Sequence, residues 1–206
     1  MSVRLPDPFT HEGAPGFASG DLVSNHPTIQ DELTDGSVLQ VDNGMQYWGI
    51  NITYPDLFPE EYGLIISAIE EAKRLRAPID IMLPQYVTFR VNGNTTSIGV
   101  PAGQKGSTLT LVGTDSLMGM PNPGDLVQLG NSTSKKVYRI TSINLSIANQ
   151  WTLGVYPDLQ ITTSGTEYPR FNDILFQTKM LNWNDVTSIN PDGLYTGVSF
   201  SFRETK

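Results

Sequence analysis

Residues 59–77 hold the one pattern in this sequence that fits a long amphipathic helix. Apolar side chains recur there at the spacing that places them on a single helical face, at Tyr62, Ile65, Ile66, Ile69 and Ala72. Pro59 suits the first helical turn, and Pro78 cannot continue the helix. The other apolar segments are short and alternate with polar residues. A chain with one such helix must build most of its core from β-sheet, so we predict a mainly β protein.

The composition agrees with many short strands and excludes several kinds of site. The 206 residues include 19 Gly and 14 Pro without a periodic repeat, which is typical of a turn-rich chain. With no Cys and only two His, disulfides, thiolate metal sites and three-His zinc sites are excluded. A net charge of −8 argues against nucleic-acid binding. There is no apolar run of about 18 residues and no signal peptide, so we expect synthesis in a cytoplasm without membrane insertion.

The segments beside the helix predict strands. Two alternating runs, at 37–41 and 46–54, flank Asn43-Gly44, and this arrangement is a strong local signal for a hairpin. In the second run, Trp48, Ile50 and Ile52 fall on one face and should lie in a core. A further short apolar strand is predicted at 79–83.

The ends and the centre of the chain predict two domains. Residues 1–36 lack any apolar period and are expected to form a loop-like arm. Short alternating segments suited to a small barrel fill 87–168; they are TFRVNG, TSIGV, STLTLV, DLVQL, KVYRITSIN, QWTLGVY and LQITT. Two more strands in 171–206 cannot fold alone. We therefore predict a discontinuous domain of residues 1–86 and 169–206, with 87–168 as an insertion. The formal charge divides likewise, at −9 for 1–86, +1 for 87–168 and 0 for 169–206.

Catalytic and cofactor-binding patterns are weak throughout. No GxSxG elbow occurs, and the GQKGST run at 103–108 has its Lys in the wrong place for a phosphate loop. The acidic pairs Glu60-Glu61 and Glu70-Glu71 are consecutive helix residues, which do not face each other as glycosidase carboxylates would. We therefore expect no enzymatic activity, no cofactor and no metal.

Six aromatic residues leave two interpretations open. They would form either a stacking platform for sugars or bases, or part of an ordinary core. The alternation around them favours a core. These residues are Tyr47, Trp48, Tyr86, Tyr138, Trp151 and Tyr156.

The order and spacing of several segments resemble the distal tail protein of long-tailed, non-contractile phages, in the version without a large carbohydrate-binding extension. These segments are RLPDPFT, QYWGINITYPDLFPEEYGLIISAIEEAKRL, IDIMLPQYVTFRV, PAGQKGSTLTL, GDLVQL, KVYRITS, WTLGVYPDLQITTSG and YTGVSFSFRE. Together they cover nearly the whole chain.

The resemblance implies a homohexameric ring at the tail tip, which continues the tail tube and joins it to the tip or hub complex. It implies a β-sandwich-like tube domain with one helix, made from the terminal segments. An inserted barrel resembling the oligosaccharide/oligonucleotide-binding fold would decorate the outside of the ring. The implied partners are the tail tube protein and the tip or hub protein, with tail-fibre or collar proteins as further candidates. The protein would be made in the host cytoplasm and reside in the virion.

A ring that conducts DNA should repel it, so we expect acidic side chains in the lumen. The candidates are Asp31, Glu32, Asp35, Asp42, Glu70 and Glu71. Two alternative functions remain at this point. One is another tail-tube or baseplate component of the same fold, and the other is a carbohydrate-binding module that engages host-surface glycans.

Overall fold

The computed structural model describes residues 2–42, 44–86, 90–93, 95–131, 135–182 and 188–205, without the side chain of Asp42. In this part of the chain, strands dominate and one α-helix occurs, which confirms the mainly β fold class. The chain forms two compact units, a discontinuous unit of residues 2–79 and 178–205 and a continuous unit of residues 80–177. None of the helices described is long and apolar enough to cross a bilayer.

The elements follow one another closely along the chain. The first are β1 (Val3–Arg4), β2 (Ser19–Asn25), β3 (Thr28–Glu32), β4 (Val38–Asp42), β5 (Tyr47–Thr53), α1 (Pro59–Leu75), β6 (Ile79–Met82), β7 (Asn92–Gly93) and β8 (Gly106–Val112). The others are β9 (Leu117–Met118), β10 (Leu126–Gly130), β11 (Lys135–Asn144), β12 (Gln150–Leu159), β13 (Tyr168–Arg170), β14 (Leu175–Met180), β15 (Ser188–Ile189), β16 (Tyr195–Thr196) and β17 (Ser199–Glu204).

A six-stranded sheet in the order β1-β6-β14-β17-β5-β2 forms the centre of the discontinuous unit, and the chain passes between the units within β6 and β14. The predicted core face of β5 is confirmed, because Trp48, Ile50 and Ile52 are fully buried. The C-terminal strand β17 pairs antiparallel with β5 over Ser199–Arg203, so the two ends of the chain meet in one sheet.

Helix α1 lies where the apolar spacing predicts it. Ile65, Ile69 and Ala72 are buried, whereas Tyr62 and Ile66 are half-buried at the sides of that face. The N–H of Phe58 donates to Glu61 at 2.9 Å, which supports the first turn. Arg76 caps the helix, and its N–H donates to the carbonyls of Ala72 and Lys73. Its left-handed backbone (φ 51°) turns the next N–H, that of Ala77, onto the Ala72 carbonyl.

The predicted hairpin around Asn43-Gly44 is wrong in its pairing. β4 pairs with β3, and β5 pairs with β2 and β17 instead. The loop between β3 and β4 contains Asp35-Gly36, a second dipeptide that favours tight turns, with Gly36 at φ +81°. The sequence thus offers two hairpins that compete for the same strand. β4 pairs with β3, although the loop to β5 is one residue shorter than the loop to β3. Asn43 itself lies outside the described residues.

The expectation of a loop-like arm over residues 1–36 is also wrong, because β1, β2 and β3 lie in it. β2 pairs with the whole length of β5, from Ser19 opposite Thr53 to Asn25 opposite Tyr47. As the last strand of its sheet, β2 keeps most of its side chains exposed or half-exposed. An edge strand of this kind needs no apolar alternation, so its sequence carries little strand signal.

The continuous unit is built on a five-stranded antiparallel sheet in the order β13-β10-β11-β12-β8. Its core includes Leu109, Val127, Tyr138, Ile140 and Leu153. The predicted strands STLTLV, DLVQL, KVYRITSIN and QWTLGVY are confirmed as β8, β10, β11 and β12. LQITT is wrong as a separate strand, because β12 runs on to Leu159 and the chain then leaves the sheet.

Two other predicted strands of this unit contribute little to it. TSIGV forms a single turn of 3₁₀-helix and one bridge between Gly99 and Val112. Of TFRVNG, only the last two residues form a strand, and residues 87–89 lie outside the described residues. The unit boundaries fall at 79/80 and 177/178, within strands. The predicted domain division at 86/87 and 168/169 stays a prediction.

Candidate assembly surfaces

Strands β3 and β4 form an antiparallel hairpin, and no other strand of the described residues joins their sheet. We call residues 28–42 the hairpin arm. Ile29 lies opposite Val41, and Asp31 lies opposite Leu39. Since directly opposed residues share a face, these four side chains define one face of the arm, and Leu33 continues it. The other face carries Gln30 opposite Gln40 and Glu32 opposite Val38. One face, which we call the apolar face, thus carries four apolar side chains and Asp31; the other, the polar face, is mostly polar but includes the exposed Val38.

The apolar face of the arm is uncovered. Ile29, Leu39 and Val41 are each more than half exposed, at 56%, 52% and 53%, and Leu33 is 47% exposed. An isolated two-stranded hairpin is at best marginally stable in water. Four large apolar side chains on one exposed face are therefore typical of a surface that another protein covers.

The turn of the arm is fixed by Asp35. Its carboxylate accepts hydrogen bonds from the Ser37 hydroxyl at 2.6 Å and from the Ser37 N–H at 2.9 Å. These two bonds, the one from the hydroxyl first, hold the pKa of Asp35 below its ordinary value. The N–H of Leu33 donates to the Ser37 carbonyl and closes the turn. A negative charge is thus held at the end of the arm, next to Leu33.

The structure distributes the predicted lumen residues between the hairpin arm and helix α1. Asp31 lies on the apolar face of the arm, Glu32 on its polar face and Asp35 in its turn, all exposed. The side chain of Asp42 lies outside the described residues. Glu70 and Glu71 lie on α1, so the structure brings together only the residues of the arm. Which of these side chains face a lumen stays a prediction.

Glu71 does not act as an isolated charge. Both of its oxygens accept from Arg74, at 2.8 Å from Nε and 2.5 Å from Nη2, and this hydrogen-bonded partner lowers the pKa of Glu71. The i,i+3 pair is exposed and adds little stability. Glu70 is also exposed but has no such bond to Arg74.

A cavity of about 310 Å³ lies between the C-terminal end of α1 and strands β6 and β14. Ala72, Ile79 and Met180 are its buried apolar lining. Three exposed cationic side chains, Lys73, Arg76 and Lys179, complete the lining together with Ala77. We call this the cationic cavity. No local pattern in the sequence indicates this cavity, because Lys179 lies in a strand and more than 100 positions after the end of the helix.

The continuous unit has an apolar surface of its own. A shallow groove of about 420 Å³ lies between the loop after β9 and the turn from β11 to β12. Met120, Leu145 and Ile147 line it and are 52%, 42% and 56% exposed. Nothing in the charge or shape of this groove selects a partner.

The predicted aromatic platform is not assembled as one surface. Trp48 and Tyr138 are buried in different units, and Trp151 packs edge-on against Phe171 at 6.0 Å between ring centres. These three rings are core residues. Tyr47 is half-buried under the guanidinium of Arg203, 3.6 Å from its ring centre. Within the described residues, no group of three His, Asp or Glu side chains is placed to hold a metal.

Comparison with known proteins decides the family. A family model described as the N-terminal part of the A domain of distal tail protein pb9 matches residues 5–86, and a model of its B domain matches residues 87–174. The chain is 50% identical to distal tail protein pb9 of Escherichia phage T5 over an aligned length of 206, which covers 98% of this chain and 100% of that protein. The chain belongs to the pb9 distal tail protein family. The resemblance seen in the sequence is thereby confirmed.

A member of the pb9 family is a structural component of a phage tail, and its place is in the virion. Such a protein works by contacts with other tail components. The candidate site of this pb9 relative is therefore an assembly surface, and the hairpin arm is the described surface that most clearly lacks a covering partner.

Proposed function

We propose that this protein forms a homohexameric ring at the tail tip, which extends the tail tube, connects it to the tip or hub complex and lets DNA pass through its lumen. Family membership supports the tail location, and the hairpin arm supports the ring. A closed ring needs a heterologous contact in which two different patches of each subunit meet. The arm supplies one patch that its own chain leaves uncovered.

The observation that carries this proposal is the exposed apolar face of the arm. Ile29, Leu39 and Val41 would each gain by burial, at about 25 cal/mol per Å² of apolar surface removed from water. The face is too narrow to form a stable fold alone, but it suits docking on a neighbouring copy. Repetition of that contact around an axis closes the ring.

The polar face of the arm would then be free to face the lumen. Glu32 lies on this face with Gln30 and Gln40. Carboxylate and amide groups there would present DNA with a hydrated, negatively charged wall, which repels phosphate. We retain Glu70 and Asp42 as further lumen candidates. Glu71 contributes less net charge, because Arg74 neutralises it.

The remaining contacts follow from the ring. The tail tube protein would stack on one face of the ring and the tip or hub protein on the other, with tail-fibre or collar proteins as further partners. The ring-forming domain would comprise residues 1–86 and 169–206, with 87–168 on the outside. The role is structural, without catalysis, sequence-specific nucleic-acid binding or membrane insertion.

The experiment that tests this proposal places a charge on the apolar face. Ile29→Asp should stop incorporation of the protein into tails as a six-copy ring, because it buries a carboxylate in the subunit contact. Ile161→Asp is the matched control, since Ile161 is also 56% exposed but lies in the continuous unit. Copy number per purified tail is the measurement. Six copies of the Ile29→Asp variant in each tail would contradict the proposal.

A further inference from the structure

The cationic cavity is unusual for the unit that contains it. The discontinuous unit has only six Lys and Arg residues, and three of them line this one cavity. Cations in the last turn of a helix commonly offset its dipole, which accounts for Lys73. It does not account for Lys179, which comes from β14. Neither Arg76 nor Lys179 forms an ion pair with another described residue of the chain.

The lining of the cavity defines the chemistry of its occupant. The buried part is apolar, with Ala72, Ile79 and Met180, and the exposed part is positive. An apolar side chain flanked by carboxylates matches both features. A bare phosphate or a nucleic-acid backbone would use the cations but leave the apolar lining unfilled.

The turn of the hairpin arm has the complementary chemistry. Leu33 is 47% exposed there. Asp31 shares its face, and Asp35 sits two residues after it with its charge maintained by Ser37. One apolar side chain between two carboxylates therefore stands at the end of an exposed arm.

The cavity and the arm lie towards opposite edges of the same sheet. The arm connects β2 to β5, whereas the cavity adjoins β6 and β14. In the sheet order, β6 and β2 are separated by four strand spacings, or about 19 Å. Two different, complementary patches that attach near opposite edges of one sheet suit a head-to-tail contact between copies.

We propose that Leu33 of one copy of this chain inserts into the cationic cavity of the next copy, with Asp31 and Asp35 facing Arg76 and Lys179. The occupant of the cavity is thus a second copy of the same protein. This inference rests on the proposed ring and names the surface on which the arm docks. Glu32, on the opposite face of the arm, takes no part in this contact.

A charge-reversal experiment tests the pairing with a matched control on the adjacent residue. Asp31→Lys should weaken association between copies at least about tenfold, because it places like charges together. Glu32→Lys makes the same charge change on the other face and should alter association less than about threefold. Adding Lys179→Glu to Asp31→Lys should restore six-copy rings. Equal effects of Asp31→Lys and Glu32→Lys, or no rescue by Lys179→Glu, would overturn the inference.

A cysteine cross-link tests the contact directly. The natural chain contains no Cys, so Leu33→Cys with Ala77→Cys introduces the only two thiols. In oxidised tails the double variant should give a covalent ladder up to six chains, and each single variant should give none, because a disulfide requires the two residues of different copies to adjoin. Normal melting temperatures of the purified variants will show that they fold.

The outcomes separate this inference from the proposed ring. A six-copy ring that forms in the double variant without the ladder would overturn the inference and leave the ring in place; the cavity would then serve another tail protein. Tails of the unmodified protein that lack a six-copy ring would overturn the proposed function itself.

Discussion

Tyr54 carries a phenolic hydroxyl into the core of the discontinuous unit. The residue is 3% exposed, and its Oη has no hydrogen-bond partner in the described part of the chain. Burial, and then the nearby charge of Asp7, raises the pKa of Tyr54 above its ordinary value. Its ring packs edge-on against Phe17 and Phe200. The ring stabilises the core, whereas the hydroxyl costs free energy.

Tyr54→Phe should therefore raise the free energy of unfolding at neutral pH by about 1 kcal/mol. It should also reduce the fall in the free energy of unfolding at alkaline pH. In the natural chain, the folded state holds the Tyr54 proton more tightly than the unfolded state does, because the pKa of Tyr54 is raised on folding. The free energy of unfolding is therefore unaffected by this proton below the ordinary tyrosine pKa of about 10 and falls as the pH rises above it. Urea unfolding at pH 7 and at pH 10 to 11 measures both effects. A variant that is less stable at pH 7 would show that the buried, unpartnered hydroxyl does not destabilise the fold.

Asp7 organises the N-terminal segment from a buried position. It accepts hydrogen bonds from Arg4 Nε at 3.0 Å, from the Phe9 N–H at 3.0 Å and from the Thr10 hydroxyl at 2.9 Å. Asp7→Ala should lower the free energy of unfolding by about 2 kcal/mol, because it leaves these donors without their acceptor. Asp21→Ala, at an exposed acidic position, should change it by less than about 0.5 kcal/mol. Equal losses in the two variants would show that the Asp7 bonds carry no net stability.

At the residue scale, the sequence predicts burial well where apolar residues alternate, and poorly where polar groups are buried. Trp48, Ile50 and Ile52 are core residues as their alternation indicates. Asp7 gave no such signal, because its three donors come from local turns rather than from a periodic pattern. The cationic cavity has no signal in the sequence either, since it forms only where β6 and β14 pack beside α1.

At the scale of elements, two loop glycines allow the cost of a left-handed backbone to be distinguished from the cost of a steric clash. Gly119 and Gly103 have nearly the same left-handed φ, +83° and +84°. A Cβ at Gly119 would collide with the Arg90 carbonyl oxygen, whereas no described atom lies within 4 Å of one at Gly103.

Gly103→Ala should therefore cost about 1–2 kcal/mol through its backbone conformation alone. Gly119→Ala should cost at least about 2 kcal/mol more, because the segment with Arg90 must move away. The two free energies of unfolding, measured by urea titration, provide the comparison. Equal losses in the free energy of unfolding would mean that the segment with Arg90 moves away without losing other contacts.

Strands were easier to predict than their partners. The alternation of 37–41 and 46–54 placed β4 and β5 correctly, but both Asn43-Gly44 and Asp35-Gly36 offered a turn. Local sequence does not decide between two such turns, because β4 can pair with β5 only if one edge of β5 is free, and β2 and β17 pair with both edges. For the same reason the hairpin arm, which is the main candidate assembly surface, could not be predicted from the sequence.

At the scale of the whole molecule, the fold class followed from one helical stripe among short strands, and the family followed from the order of many weak segments. Neither the fold class nor the order of segments shows a ring. The structure of a single chain shows only the two surfaces proposed to meet between copies, the hairpin arm and the cationic cavity. The arm and the cationic cavity are complementary in polarity and charge, and each is exposed in the single chain.

Determination of the rotational symmetry and copy number of this protein in intact tails is the most direct test of the hexameric ring. Six copies are expected around the tail axis, with a mass near six times 22.6 kDa when the ring is released. Each arm should lie against the neighbouring copy. A different copy number, or six copies whose arms contact only their own chain, would contradict it.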